Sequence, residues 1–199
     1  VIIGVSYHQA TIGISTKSTA WNWTIRHNRI VEAGTGMYLG HTVVTMPRFD
    51  LEQFLQIVQR HRATVLHTVP PIALALAHHP LVDKYDLSSV RKVFSGAAPL
   101  AEAVAHAVER RLGAALFEGY GMTELACVSH MQSVGTPKRS VGRALRGIEW
   151  KVVDTVTGDD LKQCERGEIW VRGPNVMKGY LNRPEDTAAV LQDGGWMRT

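Results

Sequence analysis

Residues 117–124 read Phe117, Glu118, Gly119, Tyr120, Gly121, Met122, Thr123, Glu124: an apolar strand end, then a glycine hinge, then a hydroxyl beside a carboxylate. A strand that carries such a loop at its carboxyl end is what an open α/β sheet offers its ligand. Gly119 and Gly121 are expected to turn the backbone sharply and let it approach a ligand. Tyr120 has a flat face that can lie on a planar base, and Thr123 and Glu124 can serve a phosphate oxygen and a hard cation. Hydroxyl, carboxylate and aromatic together suggest a nucleotide with magnesium. A plain glycine turn with Tyr120 packed in the core is the competing reading of this string alone.

The flanking sequence supplies the sheet. Residues 42–46 form a short β-prone run broken by Pro47, and Asp50 can cap a helix whose Leu51, Phe54, Leu55 and Val58 share one apolar face. Residues 64–69 read as a strand ended by Pro70 and Pro71, residues 72–78 as an apolar helix and residues 92–94 as a further strand. A helix over about 100–112, with Val104, Val108 and Leu112 on one face, precedes a strand at 114–117. Strands and helices alternating at this length predict a parallel sheet covered by helices. After about Val141 the character changes, with strands at 149–154 and 168–172 separated by a Thr157, Gly158, Asp159 turn. The expected fold class is therefore α/β, followed by part of a β-rich subdomain. Its expected divisions are a poorly readable lead at 1–36, an α/β part at 37–140 and the β-rich part at 141–199.

With 199 residues, the chain can bury one sizeable core or one and part of another. Its 45% hydrophobic and 20% charged content is that of a soluble globular protein, and a net charge of +4 from scattered lysines and arginines does not demand nucleic acid. Cys127 and Cys164 are far apart with no metal-ligand spacing, which argues against a disulfide framework or zinc site and favours a reducing, cytoplasmic setting. No apolar stretch is long enough to span a bilayer, and no secretory signal is evident. His8, His41, His61, His67, His78, His79, His106 and His130 show no repeated ligand spacing, with Glu118 and His130 as weak site candidates. The chain begins at Val1 and ends at Thr199 after Gly194, Gly195 and Trp196, and both ends read as cuts through a longer protein.

Two further strings complete the picture. Ser95, Gly96, Ala97, Ala98 and Pro99 join a strand to a helix, and their small side chains leave a shallow floor for an adenine or a flat acyl group, with helix amide donors beside it. The order FSGAAPL, FEGYGMTE, GEIWVRGPNVMKGYLNRPE and DGGW, over about residues 41–199, resembles the adenylate-forming superfamily, most of all acyl-CoA synthetases of the 4-coumarate:CoA ligase type. The resemblance implies the large amino-terminal domain of such an enzyme. It also implies an activity in which ATP and a small carboxylic acid form an acyl-adenylate, whose acyl group passes to coenzyme A.

By that resemblance, Gly96, Ala97, Ala98 and Pro99 line the adenine and acyl end of the pocket. Gly119, Tyr120 and Gly121 border the adenine, Thr123 meets the α-phosphate region and Glu124 helps to hold magnesium. Leu125, Ala126, Cys127 and Val128, with Gly121 and Met122, fall at the acyl-pocket wall, with a place in the core as the lesser alternative for Cys127 and Val128. The GPNVMKGY string, with Lys178 and Tyr180, reads as a glycine-punctuated β edge with a structural role. The family's glycine-rich phosphate loop is expected before residue 1, and its ribose-binding aspartate just after Thr199. Its small carboxy-terminal domain, with the adenylating lysine, is expected beyond that. His8 lies near the place of an aromatic and histidine pair, but residues 6–36 do not match. A noncatalytic fragment, a luciferase-like oxygenase and a peptide-synthetase adenylation domain are the rival expectations; the sequence leaves the substrate acid and the oligomeric state open.

Overall fold

The computed structural model describes residues 2–5, 43–46 and 48–199. Most of the lead segment lies outside the described residues, and with it the expectations on His8, His41 and Pro47. The described residues fall into two compact units, those of Val1–Glu118 with Pro137–Ser140 and those of Gly119–Thr136 with Val141–Thr199.

In the first unit, strands β1 (Ile2–Val5), β2 (Val43–Met46), β3 (Val65–Thr68), β4 (Lys92–Ser95) and β5 (Ala115–Tyr120) alternate with helices α1 (Leu51–His61), α2 (Pro70–His78) and α3 (Glu102–Leu112). The strands run parallel in the order β2, β1, β3, β4, β5. The α/β alternation is thus borne out. Asp50 caps α1 as expected, its carboxylate accepting from the Gln53 amide at 2.8 Å. The face beneath it buries Phe54, Leu55 and Val58 completely. Helix α2 begins at Pro70, two residues before the expected start, because a proline at the first helical turn has no amide to miss. Leu66, Val93 and Leu116, side by side in register on β3, β4 and β5, are fully buried in the core that these helices share. At about 25 cal/mol per Å² of apolar surface removed from water, this core is the main stabilising term of the unit.

The second unit holds the last two residues of β5, paired antiparallel with β6 (His130–Met131), which pairs with β7 (Arg143–Ala144). It also holds an antiparallel sheet in the order β10 (Leu191–Gln192), β11 (Trp196–Arg198), β9 (Glu168–Arg172), β8 (Glu149–Val153). Strands β8 and β9 lie where the sequence placed them, and Asp154 holds the turn after β8 by accepting from the amides of Val156 and Thr157. A short helix α4 (Pro184–Val190) was not expected; Pro184 opens it, and none of its residues is buried enough to leave an apolar stripe in the sequence. The core of this unit is small, built on Leu125, Val171 and Met197. Among the described residues, no helix is long and apolar enough to cross a membrane.

Candidate active site

In the first unit the carboxyl ends of three strands lie in register, Thr68 beside Ser95 beside Glu118. The Thr68 hydroxyl donates to the Phe94 carbonyl at 3.0 Å, and the Gly96 amide donates to the Thr68 carbonyl at 3.3 Å, so the loop after β4 leaves the sheet at a fixed place. Ala97, Ala98 and Pro99 are exposed on that loop. Ala97 has φ +68°, the left-handed region that a residue with a Cβ adopts at an energetic penalty. A Cβ added at Gly96 would meet nothing within 4 Å, so the floor of the loop is open.

The expected amide donors are partly committed. Helix α3 starts at Glu102 rather than near Leu100, and the Leu100 amide donates to Glu118 Oε2 at 3.1 Å. Glu118, expected to touch the cofactor, therefore uses one oxygen to hold the chain entering α3. Ser95, read from the sequence only as a small side chain, is 2% exposed and its Oγ has no hydrogen-bond partner among the described residues. A buried hydroxyl without a partner is costly unless a ligand or water supplies one. Only placement beside Glu118 reveals it; no spacing in the sequence does.

In the second unit β5 runs straight through Gly119 and Tyr120, three residues past the expected end, and neither Gly119 nor Gly121 has a positive φ. The expected glycine hinge is thus corrected. What glycine supplies at 121 is room: a Cβ there would lie 2.7 Å from Val128 Cα and closer still to the Cys127 carbonyl oxygen. The sharp turn comes later, where a 3-10 turn at Thr123–Leu125 is followed by two left-handed residues, Ala126 at φ +48° and Cys127 at φ +88°.

That turn sorts its side chains. Thr123 is exposed and Glu124 half-buried, whereas Leu125 is fully buried in the small core. Leu125 is therefore no part of an acyl-pocket wall, because the turn directs it to Val171 and Met197. Met122, also expected in the pocket, packs against the same cluster. Cys127 is exposed and Val128 half-buried, so Cys127 is not core. The Tyr120 hydroxyl donates to Thr199 Oγ1 at 2.7 Å, and Thr199 in turn donates to the Ile169 carbonyl at 2.8 Å. The Tyr120 ring meets the buried His130 edge-on at 6.0 Å, and Trp150 meets His130 from another side at 5.7 Å. Burial holds the His130 imidazole below its ordinary pKa.

The GPNVMKGY string is not a β edge but a loop folded onto this turn. The Met177 amide donates to the Glu124 carbonyl at 2.8 Å, Asn175 Nδ2 to the Leu125 carbonyl at 2.9 Å, and the Tyr180 hydroxyl to Glu124 Oε1 at 2.7 Å. Tyr180 is the residue that sequence reasoning missed, since it stands 56 positions from its partner. Among the described residues no three His, Cys, Asp or Glu side chains gather as a metal-binding group. A cation held by Glu124 would draw much of its shell from phosphates and water, which suits magnesium. The donor set fits that ion.

The family model for AMP-binding enzymes matches residues 27–181. The chain belongs to the AMP-binding enzyme family. It is 43% identical over 171 residues to 4-coumarate–CoA ligase 1 of Petroselinum crispum, covering 82% of this chain and 31% of that protein. It is 47% identical over 167 residues to 4-coumarate–CoA ligase 2 of Oryza sativa subsp. japonica, covering 80% of this chain and 29% of that protein. Among solved structures it resembles the amide bond synthetase McbA from Marinactinospora thermotolerans, with a TM-score of 0.73 and 37% identity over 80% of this chain and 33% of that one. The chain thus spans about a third of the length of these relatives. Membership of an adenylate-forming family, and the α/β fold class, are as the sequence led one to expect.

Proposed function

We propose that this chain is the central part of an AMP-forming ligase joining an aryl or fatty carboxylic acid to coenzyme A, residues 37–140 serving as nucleotide- and acyl-binding layer and 141–199 as part of a β-rich subdomain. The observation that carries the reading is the turn at Thr123–Leu125, which exposes a hydroxyl beside a carboxylate whose direction a second side chain fixes. The names of the relatives support the reaction class.

In this reading a carboxylate oxygen of the acid attacks the α-phosphorus of ATP, the bond to pyrophosphate breaks, and the thiol of coenzyme A later displaces AMP from the acyl carbon. Two anions must approach one another in the first step, so donors and positive charge placed in advance carry most of the rate. The Thr123 hydroxyl donates to the α-phosphate region. Glu124 holds magnesium, which supplies positive charge against the phosphates. Tyr120 lies on the adenine, with Gly119 and Gly121 at its border; Gly96, Ala97, Ala98 and Pro99, with the unpartnered Ser95 hydroxyl near them, line the adenine and acyl end. Cys127 and Val128 bound the acid.

The test is acid-dependent exchange of labelled pyrophosphate into ATP by a protein carrying this chain. Glu124→Gln should slow it by about 100-fold, the size expected when one preorganised electrostatic group is lost. An unchanged rate removes Glu124 from this role. Because the chain covers only 31% of its relatives, a second reading applies to the 199 residues alone: a fragment that binds nucleotide weakly and shows no exchange. Robust exchange by the isolated chain would overturn that second reading. Coenzyme A consumption across cinnamic, benzoic and fatty acids, with light output and carrier-protein loading as counter-tests, separates ligase from luciferase-like and peptide-synthetase activity.

A further inference from the structure

We propose that Tyr180 is a positioning residue that fixes the Glu124 carboxylate for a divalent cation, so that the GPNVMKGY loop is part of the cation site. The inference rests on the reading of Glu124 given above. A glutamate side chain has three rotatable bonds, and on an exposed turn its carboxylate samples many directions. Here Oε1 accepts from the Tyr180 hydroxyl at 2.7 Å, which restrains the carboxylate and leaves Oε2 to accept from or bind another group.

The chemistry of the donor is what gives the contact its meaning. A lysine or arginine in the same place would neutralise the carboxylate and compete with a cation for it. A phenol donates one hydrogen bond and leaves the full negative charge available. Outer partners of this kind orient metal-binding carboxylates in many proteins.

Tyr180 is itself held. Its amide donates to Thr187 Oγ1 at 2.9 Å, and Thr187 Oγ1 donates to the Arg183 carbonyl at 2.8 Å at the start of α4. Gly179, at φ +142°, is required for this fit, since a Cβ there would stand 2.8 Å from Thr187 Cγ2. The backbone of the turn is tied separately, through Met177 to the Glu124 carbonyl and Asn175 to the Leu125 carbonyl. A purely structural loop needs only those two backbone ties. The Tyr180 hydroxyl is a third tie, and it is made to the side-chain carboxylate rather than to the backbone.

The experiment titrates manganese(II) with a saturating non-hydrolysable ATP analogue into a protein carrying this chain and reads water-proton relaxation. Four proteins are compared: unaltered, Tyr180→Phe, Glu124→Gln and the double variant, with melting curves on each. Tyr180→Phe should weaken manganese binding by about 10-fold, as loss of an outer partner does, without a matching fall in melting temperature. When Glu124→Gln is already present, the same change should do nothing more, because the two residues act as one unit. Replacing Tyr180 with 4-aminophenylalanine, which keeps a donor at the end of the ring, should restore affinity. Unchanged binding in Tyr180→Phe, or effects that multiply in the double variant, overturns the positioning role while Glu124 keeps its own. Unchanged binding in Glu124→Gln overturns the reading of Glu124 and the inference with it.

Discussion

Lys138 Nζ donates to Glu109 Oε1 at 2.6 Å and also to the Leu116 carbonyl at 2.6 Å, and the Leu116 amide donates back to Glu109 Oε1 at 2.9 Å. Residues Pro137–Ser140 are thereby fastened to α3 and β5 within the first unit. Burial alone would raise the Glu109 carboxyl, but the bonds from Lys138 and the Leu116 amide, together with the lysine charge, hold it below its ordinary value. A carboxyl whose folded pKa is depressed stabilises the fold above its unfolded pKa of about 4.3 and loses that contribution as the pH falls through the folded value. Lys138→Met should therefore destabilise the protein by about 1–3 kcal/mol near neutral pH. The difference between it and the unaltered protein should shrink as the pH drops below about 4.3, read from urea midpoints at a series of pH values.

His130 gives a second pH dependence of opposite chemistry. It is 3% exposed, its Nδ1 lies 3.0 Å from Ser129 Oγ, and burial depresses its pKa, so the folded state takes up a proton less readily than the unfolded chain. Stability from this group is full above about pH 6.5 and declines as the solution is acidified below it. Between about pH 7 and pH 5 the melting temperature should fall, and His130→Gln should flatten that part of the curve. An identical slope in the variant would assign the effect elsewhere.

Gly121 and Gly96 separate room from ligand contact. Gly121→Ala drives a Cβ into the backbone of Cys127 and Val128, which no side-chain rotation relieves, and should destabilise by about 3 kcal/mol or more. Gly96→Ala meets open space, so its melting temperature should stay close to that of the unaltered protein. If Gly96 borders the acid or the adenine, the same variant should raise the KM for one of them. Both measurements can be made on one preparation.

Ala97→Gly tests the strained loop after β4. Releasing a left-handed alanine should stabilise by up to about 1 kcal/mol, partly offset by the greater freedom of glycine in the unfolded chain. Where the strain serves binding, affinity for an acyl-adenylate analogue should drop even as the melting temperature rises. Falling stability would show that the conformation at Ala97 is set by something other than backbone preference.

Elements with a one-dimensional signature were legible in the sequence. Asp50 ahead of Leu51, Phe54, Leu55 and Val58 gave α1 its start and its buried face, and the alternation of β3, α2, β4 and α3 announced a parallel sheet. The string from Phe117 to Glu124 pointed to the turn, but not to why its glycines are needed, because the crowding at Gly121 comes from Cys127 and Val128 after the chain has folded back. Leu125 was placed at the pocket wall by the family resemblance, whereas the 3-10 turn rotates it into the core. Tyr180 and Ser95 were invisible for the same reason. Each is set by a residue far away in sequence: Tyr180 donates to Glu124, and Ser95 lies in strand register with Glu118.

The position of β1 between β2 and β3 has a kinetic meaning. Among the described residues neither of its neighbours pairs with the other, so Val43–Met46 belongs to the sheet only through Ile2–Val5, a segment distant from both in sequence. Closing such a loop costs entropy ahead of the contacts that offset it. Without Ile2–Val5, β3 would present an open edge able to accept a strand from another molecule, so the same four residues that join the sheet also cover that edge.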